Sequence, residues 1–342
     1  DTEVILHSYV EWGENCVEKF NGMWAFTIYD RKKNFLFCSR DRFGIKPFHY
    51  FKNNDFFVFS SEIKQLLNFK FVNKAINNSS VFDYLNFGGI EHSKYTFFEN
   101  IIKLEPGNNI LYNLNENTFK IKKYYNPTLE TDFSLNYKKA SQEFKSLLFD
   151  SVKLRLRSDV EVGSCLSGGI DSSSIVSIIK NLNKNQTNNS QHSFSSHFND
   201  EEANELEYMK CIIDHSNVKS HFTYPNEEKL MKDLNDLIWH QEEPFASTSI
   251  FAQWEVFKKV KSGNIKVMLD GQGADEMLAG YLGLRYYFFN ELKEEKNFKK
   301  LFFEKVLYEY MYSSNKNILN FLNILFKKFI NKKINNEVEF VN

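Results

Sequence analysis

The first third of the chain alternates short apolar runs with polar turns. Runs rich in β-branched and aromatic residues occupy 22–29, 35–39, 47–51 and 56–60. Polar turns at 30–34 and 52–55 join them in pairs, which predicts two β-hairpins. Bulky side chains stand at both odd and even positions of these strands, so we expect the strands to be buried between two layers.

The hydrophobic period changes after a polar stretch at 124–133 that contains Pro127. The next apolar residues fall on one face of a predicted helix: Tyr137, Ala140, Phe144, Leu147 and Leu148. Strands are then predicted at 160–166, 192–196, 220–224 and 265–269, with helical patterns between them. Strands that alternate with helices indicate a parallel sheet covered on both faces, whose ligands bind at the carboxyl ends of the strands.

Composition excludes several classes of protein. The chain has 342 residues, which at about 150 residues per domain favours two domains. Its 35 Phe, 17 Tyr and 4 Trp supply ample surface for a core, so wholesale disorder is excluded. The 43 Lys and Arg balance 44 Asp and Glu, which gives no bulk attraction to nucleic acid. No uncharged apolar run is long enough to predict a transmembrane helix.

The cysteines and the chain ends carry further expectations. Cys16, Cys38, Cys165 and Cys211 lie far apart without CxxC spacing, so we expect buried thiols in a reducing, cytoplasmic setting and no disulfide framework. The chain begins at Asp1 within a helical pattern, with no Met and no basic leader, and its last residues show no clear stop. We therefore expect a fragment that lacks sequence at both ends.

Ser167–Ser172 is the first of two loops rich in glycine and acid. Its sequence, Ser-Gly-Gly-Ile-Asp-Ser, follows the strand predicted at 160–166 and opens a helix. Glycines permit close backbone approach, and a helix N-terminus favours phosphate, although no Lys follows as in the common phosphate loop. An aspartate beside phosphate needs a divalent cation between them, so Asp171 is a candidate Mg²⁺ ligand. A ligand-free turn capped by Asp or Ser is the alternative.

Asp270–Glu276 is the second loop, and it follows the strand predicted at 265–269. Its sequence, Asp-Gly-Gln-Gly-Ala-Asp-Glu, again combines glycines for close approach with acids for a metal. In isolation, this loop could also be a calcium turn or an ordinary acidic turn. Because two such loops end two strands of one predicted sheet, we expect Asp171 and Asp275 to bind the same metal ion.

Both loops resemble those of a known family. Ser167–Ser172 is similar to the pyrophosphate loop of ATP pyrophosphatases, and Leu269–Tyr281 is similar to the second nucleotide loop of glutamine-dependent asparagine synthetases. Segments 21–30, 40–50 and 60–64 resemble the later part of the class II glutaminase domain of the same family. The resemblance runs from Asp1 to about residue 281.

This resemblance implies a mixed α/β and α+β protein of two domains. Residues 1–128 would be the later part of an αββα glutaminase domain of the N-terminal-nucleophile type, without its nucleophile segment. Residues 134–342 would be a parallel-sheet α/β ATP-pyrophosphatase domain, incomplete at its C-terminus. The family's nucleophile is an N-terminal cysteine that would lie upstream of Asp1, so none of the cysteines present is assigned that role, and Cys16 and Cys38 are expected in the core.

The implied activity is that of a carbon–nitrogen ligase. Ammonia released from glutamine passes through a tunnel and reacts with the adenylated β-carboxylate of aspartate, which gives asparagine, AMP and pyrophosphate. The implied cofactors are ATP and Mg²⁺. We expect small-molecule substrates, no nucleic-acid or membrane partner and a cytoplasmic location, and the resemblance leaves a homodimer open.

The resemblance also assigns roles to individual residues. Those that would cradle pyrophosphate are Ser167, Gly168, Gly169 and Ser172, and those that would hold Mg²⁺ are Asp171 and Asp275. Cys165 and Ser196 match positions whose backbone meets adenine, and Asp270 and Gly271 match the contact on the ribose side. Asp1 matches an aspartate that binds the α-amino group of glutamine, and an ordinary acid at a helix N-terminus is an equal interpretation.

Two positions depart from the family pattern. Gln272 stands where well-studied members carry a glutamate implicated in forming the acyl-adenylate. Glutamine cannot act as a base, so either another group serves, with Glu243 and Glu276 as neighbours in sequence, or this branch works differently. Phe245 stands where an arginine would pair with the acceptor, close to the hydroxyl cluster at 247–249 that fits the acceptor region.

Two alternatives to asparagine synthesis stay open at this point. One is a relative that amidates or cyclises another carboxylic acid. The other is a homologue that only binds nucleotide or a partner. Intact glycine loops, Asp171 and Asp275 favour an enzyme.

Overall fold

The computed structural model describes residues 1–127, 130, 134–183, 191–198 and 205–312, with side chains as far as residue 308. The chain divides into two compact units. The first contains Asp1–Gly169 and Val176–Leu269, and the second contains Ile170–Ile175 and the residues from Asp270 onwards. Half of the polar stretch predicted as a domain boundary, residues 128, 129 and 131–133, lies outside the described residues.

The first part of the chain builds two antiparallel sheets. Its helices are α1 (Thr2–Trp12), a 3₁₀ helix (Gly13–Lys19), α2 (Ile63–Leu66) and α3 (Asn78–Phe87). Its strands are β1 (Ala25–Asp30), β2 (Phe35–Arg40), β3 (His49–Lys52), β4 (Phe57–Ser60), β5 (Ile101–Lys103), β6 (Asn108–Asn113) and β7 (Thr118–Lys123). The sheet orders are β1-β2-β6-β7 and β4-β3-β5. Both predicted hairpins, β1-β2 and β3-β4, are confirmed.

Successive side chains of the central strands face different cores. In β2, Phe37 packs with α1 and the 3₁₀ helix, whereas Cys38 packs between the two sheets. In β3, Tyr50 belongs to the same core between the sheets, whereas Phe51 packs with α2. Because neighbouring side chains of a strand point to opposite faces, these pairs bury both faces of each sheet. The order of layers is helix, sheet, sheet, helix, which confirms the expected αββα arrangement.

The sequence patterns do not predict β5, β6 and β7. β5 has three residues, too few to show a period. β7 reads Thr-Phe-Lys-Ile-Lys-Lys and is an edge strand with mostly exposed side chains. Lysines are common on edge strands because they discourage pairing with other chains, and here they hide the strand pattern.

The second part of the chain adds a parallel sheet to the first unit. Its helices are α4 (Tyr137–Arg155), α5 (Ile170–Leu182), α6 (Leu206–Ser216), α7 (Glu227–Gln241) and α8 (Ser249–Ser262). Its strands are β8 (Val162–Cys165), β9 (His192–Ser196), β10 (Lys219–Thr223) and β11 (Val267–Leu269). They pair in the order β10-β9-β8-β11, all parallel, which confirms the predicted sheet.

Helices cover both faces of this sheet. Val176 of α5 and Met209 of α6 pack together in one core cluster. Val256 and Val260 of α8 pack on Phe194 of β9 in another. As far as residue 312, the second unit contains the start of α5 and the helices α9 (Ala274–Leu278), α10 (Leu284–Glu294) and α11 (Phe298–Tyr312). No helix among the described residues has both the length and the apolar character needed to cross a membrane.

The helix predicted after the polar stretch is present as α4, and in the described part of the chain Tyr137 and Leu147 of its apolar stripe are 90% and 70% exposed. α4 packs instead through its last turns, where Val152 is buried. The expectation of four buried thiols is wrong for two of them: Cys16 and Cys38 are buried free thiols, whereas Cys165 is half-buried and Cys211 is exposed.

Phe37 offers a test of the layered packing. It is fully buried and stacks on Tyr9 with ring centroids 5.5 Å apart. We expect Phe37→Ala to lower the free energy of unfolding by about 3–5 kcal/mol, because the cavity removes contacts on the helical side of the sheet. Phe82→Ala is the matched control, since Phe82 is 58% exposed. Denaturant titration measures both, and equal losses would contradict the assigned layers.

Candidate functional site

The first glycine loop is shaped by close packing. It joins β8 to α5, and Gly168 has a φ of +89°, a left-handed conformation that favours glycine. A Cβ there would also lie 3.1 Å from the carbonyl oxygen of Glu205 and 3.1 Å from Cβ of Tyr208. The N–H of Gly169 donates to Oγ of Ser167 at 3.3 Å. Position 168 therefore needs glycine both for its conformation and for its space.

The same loop leads directly into α5. Gly169 is the N-cap of this 13-residue helix, Asp171 lies in its first turn, and Ser172 is buried. Because glycine has no side chain, the helix start has no side-chain cap. This is the end of a helix at which backbone N–H groups and the helix dipole favour an anion.

The carboxyl ends of β8 and β9 lie side by side, with Cys165 paired with Phe194. Ser196 ends β9, and its Oγ is buried without a hydrogen-bond partner among the described residues. Nδ1 of His197 is likewise buried without a hydrogen-bond partner among the described residues. Buried polar atoms without partners cost free energy, so these atoms fit a site that a polar ligand completes. The structure thus places Cys165 and Ser196 at the sheet edge where a ligand is expected.

The second glycine loop touches the first inside the second unit. A Cβ at Gly271 would lie 2.9 Å from Cβ of Asp171 and 2.9 Å from the backbone nitrogen of Ser172. Glycine is therefore required for the two loops to pack at this distance. Gly273 has a φ of +94° and is the N-cap of α9. The loops that follow β8 and β11 are thus brought together at Gly271.

Asp275 is held by a second close approach. Its side chain fills the space beside Gly280, where a Cβ would overlap Oδ1. The backbone N–H of Gly280 donates to the carbonyl oxygen of Asp275 at 3.0 Å.

Asp171 and Asp275, the predicted metal ligands, both belong to the second unit. No group of three or more His, Cys, Asp or Glu side chains among the described residues could hold a metal ion by itself. Each of the two is a carboxylate, the kind of side chain that Mg²⁺ commonly uses together with phosphate oxygens at nucleotide sites.

The remaining polar groups of this loop have local partners. The backbone N–H of Gln272 donates to Oδ1 of Asp270 at 3.2 Å, and the Gln272 side chain is exposed. The hydroxyl of Tyr281 donates to Glu276 at 2.7 Å. This hydrogen bond lowers the pKa of the Glu276 carboxyl and raises the pKa of Tyr281.

Glu242 and Glu243 contact the part of the first unit formed by residues 1–127, which we call the glutaminase-like part after the resemblance described above. Glu242 accepts hydrogen bonds from the backbone N–H groups of Ile63 at 2.8 Å and Lys64 at 2.7 Å. Glu243 accepts one from the N–H of Phe97 at 2.8 Å, and burial raises the pKa of its carboxyl. The structure therefore gives Glu243, a candidate base by its position in the sequence, a partner in another part of the fold.

The predicted acceptor and glutamine residues lie on exposed segments. Ser247 and Ser249 are exposed, and their hydroxyls hydrogen-bond to each other just before and at the start of α8. Phe245 is half-buried, and its carbonyl oxygen accepts a hydrogen bond from the Tyr84 hydroxyl at 3.0 Å. Asp1 is exposed at the start of α1 and makes no capping hydrogen bond with its side chain.

The sequence analysis does not predict the contacts of Glu242, Glu243 and Tyr84. One local feature of the sequence does indicate an unusual position at Glu242. Pro244 disfavours helix at the residue before it, so α7 must end near Glu242, at a position where glycine is usual. The partners are in α2, in α3 and at Phe97, more than 140 residues away in sequence, and no local pattern reveals them.

Two family models match the chain. The model described as asparagine synthase matches residues 143–331. The model described as glutamine amidotransferase domain matches residues 1–125.

Curated relatives carry related names. A Methanocaldococcus jannaschii protein named as a candidate asparagine synthetase (glutamine-hydrolyzing) 2 is 40% identical over 287 residues, which are 82% of this chain and 54% of that protein. Asparagine synthetase (glutamine-hydrolyzing) 1 of Bacillus subtilis is 32% identical over 288 residues, 82% of this chain and 43% of that protein. The chain thus spans about half the length of the relatives it matches.

A solved structure matches more distantly. Glutamine-dependent NAD⁺ synthetase from Acinetobacter baumannii, in complex with ADP, has a TM-score of 0.30 and 11% identity over 82% of this chain and 66% of that chain. This likeness is too weak to support an inference. The asparagine synthase match alone covers more than half of the residues. The chain belongs to the asparagine synthase family.

Proposed function

We propose that the protein forms asparagine from aspartate, the amide nitrogen of glutamine and ATP, with release of glutamate, AMP and pyrophosphate. The observation that carries the proposal is the contact between the two glycine loops at Gly271 and Asp171. Membership of the asparagine synthase family and the match to a glutamine amidotransferase domain support the two half-reactions.

The first loop and the neighbouring strand end would bind the nucleotide. Ser167, Gly168, Gly169 and Ser172 cradle pyrophosphate in this proposal, because the helix start favours phosphate and the glycines admit it closely. Cys165 and Ser196 meet adenine, and Oγ of Ser196, which has no hydrogen-bond partner in the described part of the chain, supports a polar ligand there. Asp270 and Gly271 lie on the ribose side.

Asp171 and Asp275 would hold Mg²⁺ together with the phosphates. When bound, this ion neutralises the negative charge that grows on the departing pyrophosphate. The two carboxylates alone would repel a triphosphate, so their roles as metal ligands and the binding of ATP are linked. Gly280 positions Asp275 because it leaves room for the carboxylate.

The amide forms in two steps. A β-carboxylate oxygen of aspartate attacks the α-phosphorus of ATP, the bond from that phosphorus to the β-phosphate oxygen breaks, and pyrophosphate leaves. Ammonia then attacks the acyl carbon, the bond from that carbon to the oxygen shared with the phosphate breaks, AMP departs with this oxygen, and the nitrogen loses one proton to water. The aspartate carboxylate is ionised at neutral pH, so the first step needs no base, and Gln272 is consistent with a positioning role. Asp1 would bind the α-amino group of glutamine.

The remaining expectations are part of the same proposal. The substrates are small molecules, and we propose no nucleic-acid or membrane partner, a cytoplasmic location and a homodimer as the assembly to test. The balanced charge of 43 basic and 44 acidic residues supports the exclusion of a nucleic-acid partner.

Asp171 gives the first test of the proposal. In the protein expressed in full, we expect Asp171→Asn to reduce ammonium-supported AMP formation about 100-fold or more, because charge on pyrophosphate is no longer compensated. The assay contains ATP, Mg²⁺, aspartate and ammonium, and follows AMP and asparagine. Asp236→Asn is the control, since Asp236 is an exposed acid on α7. AMP formation by Asp171→Asn at the rate of the control would overturn the assignment.

Gly271 tests the contact between the loops. An added Cβ would meet backbone atoms of Asp171 and Ser172, which cannot move aside as a flexible side chain would. We expect Gly271→Ala to weaken ATP binding about tenfold or more, because overpacking of this kind costs about 1–3 kcal/mol. Gly283→Ala is the matched control, since a Cβ at Gly283 meets nothing within 4 Å. Equal ATP affinity of the two variants in calorimetric titration would contradict the proposed packing.

A further inference from the structure

The segment between α7 and α8 is fastened to the glutaminase-like part of the first unit. Both carboxylate oxygens of Glu242 are used, one by the N–H of Ile63 at 2.8 Å and one by the N–H of Lys64 at 2.7 Å. The ammonium group of Lys64 lies 3.2 Å from the same carboxylate, and the two side chains are 18% and 10% exposed. Hydrogen bonds to an ionised acceptor are among the strong ones, and burial protects these from water.

The next residues add two more anchors. Glu243 accepts a hydrogen bond from the N–H of Phe97 at 2.8 Å, and Nζ of Lys103 lies 3.9 Å from its other oxygen. The side chains of Lys103 and Glu243 are 7% and 10% exposed. The hydroxyl of Tyr84 donates to the carbonyl oxygen of Phe245 at 3.0 Å. Glu242, Glu243 and Phe245 thus all bind the glutaminase-like part, and we call these contacts the clamp.

The partners of the clamp belong to the packed core. Ile63 of α2 is buried in one cluster with Phe51 of β3 and Ile101 of β5. The Thr96 hydroxyl donates to the carbonyl oxygen of Ile101 at 2.8 Å and fixes the backbone just before Phe97. Close-packed interiors transmit displacement and do not absorb it, so the clamp ties the segment to a rigid support.

The backbone of Glu242 is strained, because this residue adopts a left-handed conformation. Its φ is +65°, at the C-terminal end of α7, where its N–H donates to Ile238. Glycine is usual at such a left-handed helix end because a Cβ is unfavourable there. A glutamate with this strained backbone is expected where its side chain makes contacts that glycine could not make.

The clamp ends beside the hydroxyl cluster. Three of the four residues from 242 to 245 are anchored, and the fourth, Pro244, has a restricted backbone. Only Ala246 separates the last anchor from Ser247. We propose that Glu242 and Glu243 are positioning residues that set the loop Phe245–Ser249 for the acceptor acid. The inference rests on the proposed function, in which this loop receives aspartate.

The test compares paired variants of the protein expressed in full. Glu242→Gly removes the carboxylate and keeps the left-handed helix end with the residue that favours it, and Glu243→Gln removes the charge at constant size. Each has a matched control on the same lysine. Glu62→Gln removes an acid that lies 3.2 Å from Lys64 and is 48% exposed, and Glu91→Gln removes one that lies 3.2 Å from Lys103 and is 73% exposed.

Steady-state kinetics with ammonium give the first measurement. We expect Glu242→Gly and Glu243→Gln to raise the KM for aspartate about tenfold or more, with kcat at saturating aspartate within about twofold of the controls. Glutamine hydrolysis in the absence of ATP stays at the level of the controls. An unchanged KM for aspartate in both clamp variants would overturn the inference while leaving the proposed function intact.

Hydrogen exchange gives a second measurement that does not need activity. We expect faster exchange at the amides of Ile63 and Lys64 in Glu242→Gly, at Phe97 in Glu243→Gln, and at 245–249 in both. If the unmodified protein forms no AMP, the proposed function fails and its role for the acceptor fails with it, and exchange then shows separately whether Glu242 and Glu243 hold the loop Phe245–Ser249 in place. Unchanged exchange at 245–249 in both variants would overturn it.

Discussion

The proposed chemistry depends on one close contact between backbone and backbone. Gly271 packs so tightly on Asp171 and Ser172 that a single added carbon has no room. The contact joins the loops that follow β8 and β11, which are 100 residues apart in sequence. Those loops also carry Asp270 and Asp275, which belong to the same compact unit as Asp171. In the proposed function, a divalent cation bound together with the nucleotide would compensate the charges of these acids.

Buried carboxylates form the second constraint. Glu242 and Glu243 hold backbone N–H groups of the glutaminase-like part, and Lys64 and Lys103 compensate their charges. Removing one partner would leave the other buried and unpaired, which costs more than the hydrogen bond itself contributes. These hydrogen bonds therefore join the part of the chain that would release ammonia to the segment that would receive the acceptor in the proposed reaction.

The sequence predicts the parts of this molecule that depend on local pattern. Hairpins, the four parallel strands and both glycine loops are periodic or carry distinctive residues, and the structure confirms the elements. The edge strand β7 is not predicted, because its lysines interrupt the apolar pattern of a strand. The apolar stripe that includes Tyr137 correctly predicts a helix, but it does not predict which side chains of that helix are buried. The roles of Glu242 and Glu243 depend on partners distant in sequence, and no periodicity encodes a contact between a carboxylate and a remote backbone N–H.

Transfer of oxygen from the acceptor to the nucleotide tests the central claim most directly. If the two loops hold ATP for adenylation of a carboxylate, aspartate labelled with ¹⁸O in its β-carboxylate gives AMP that carries one ¹⁸O. Mass spectrometry of the AMP formed by the protein expressed in full, with ATP, Mg²⁺ and ammonium, measures this label. Unlabelled AMP, or ADP as the product, would contradict the account.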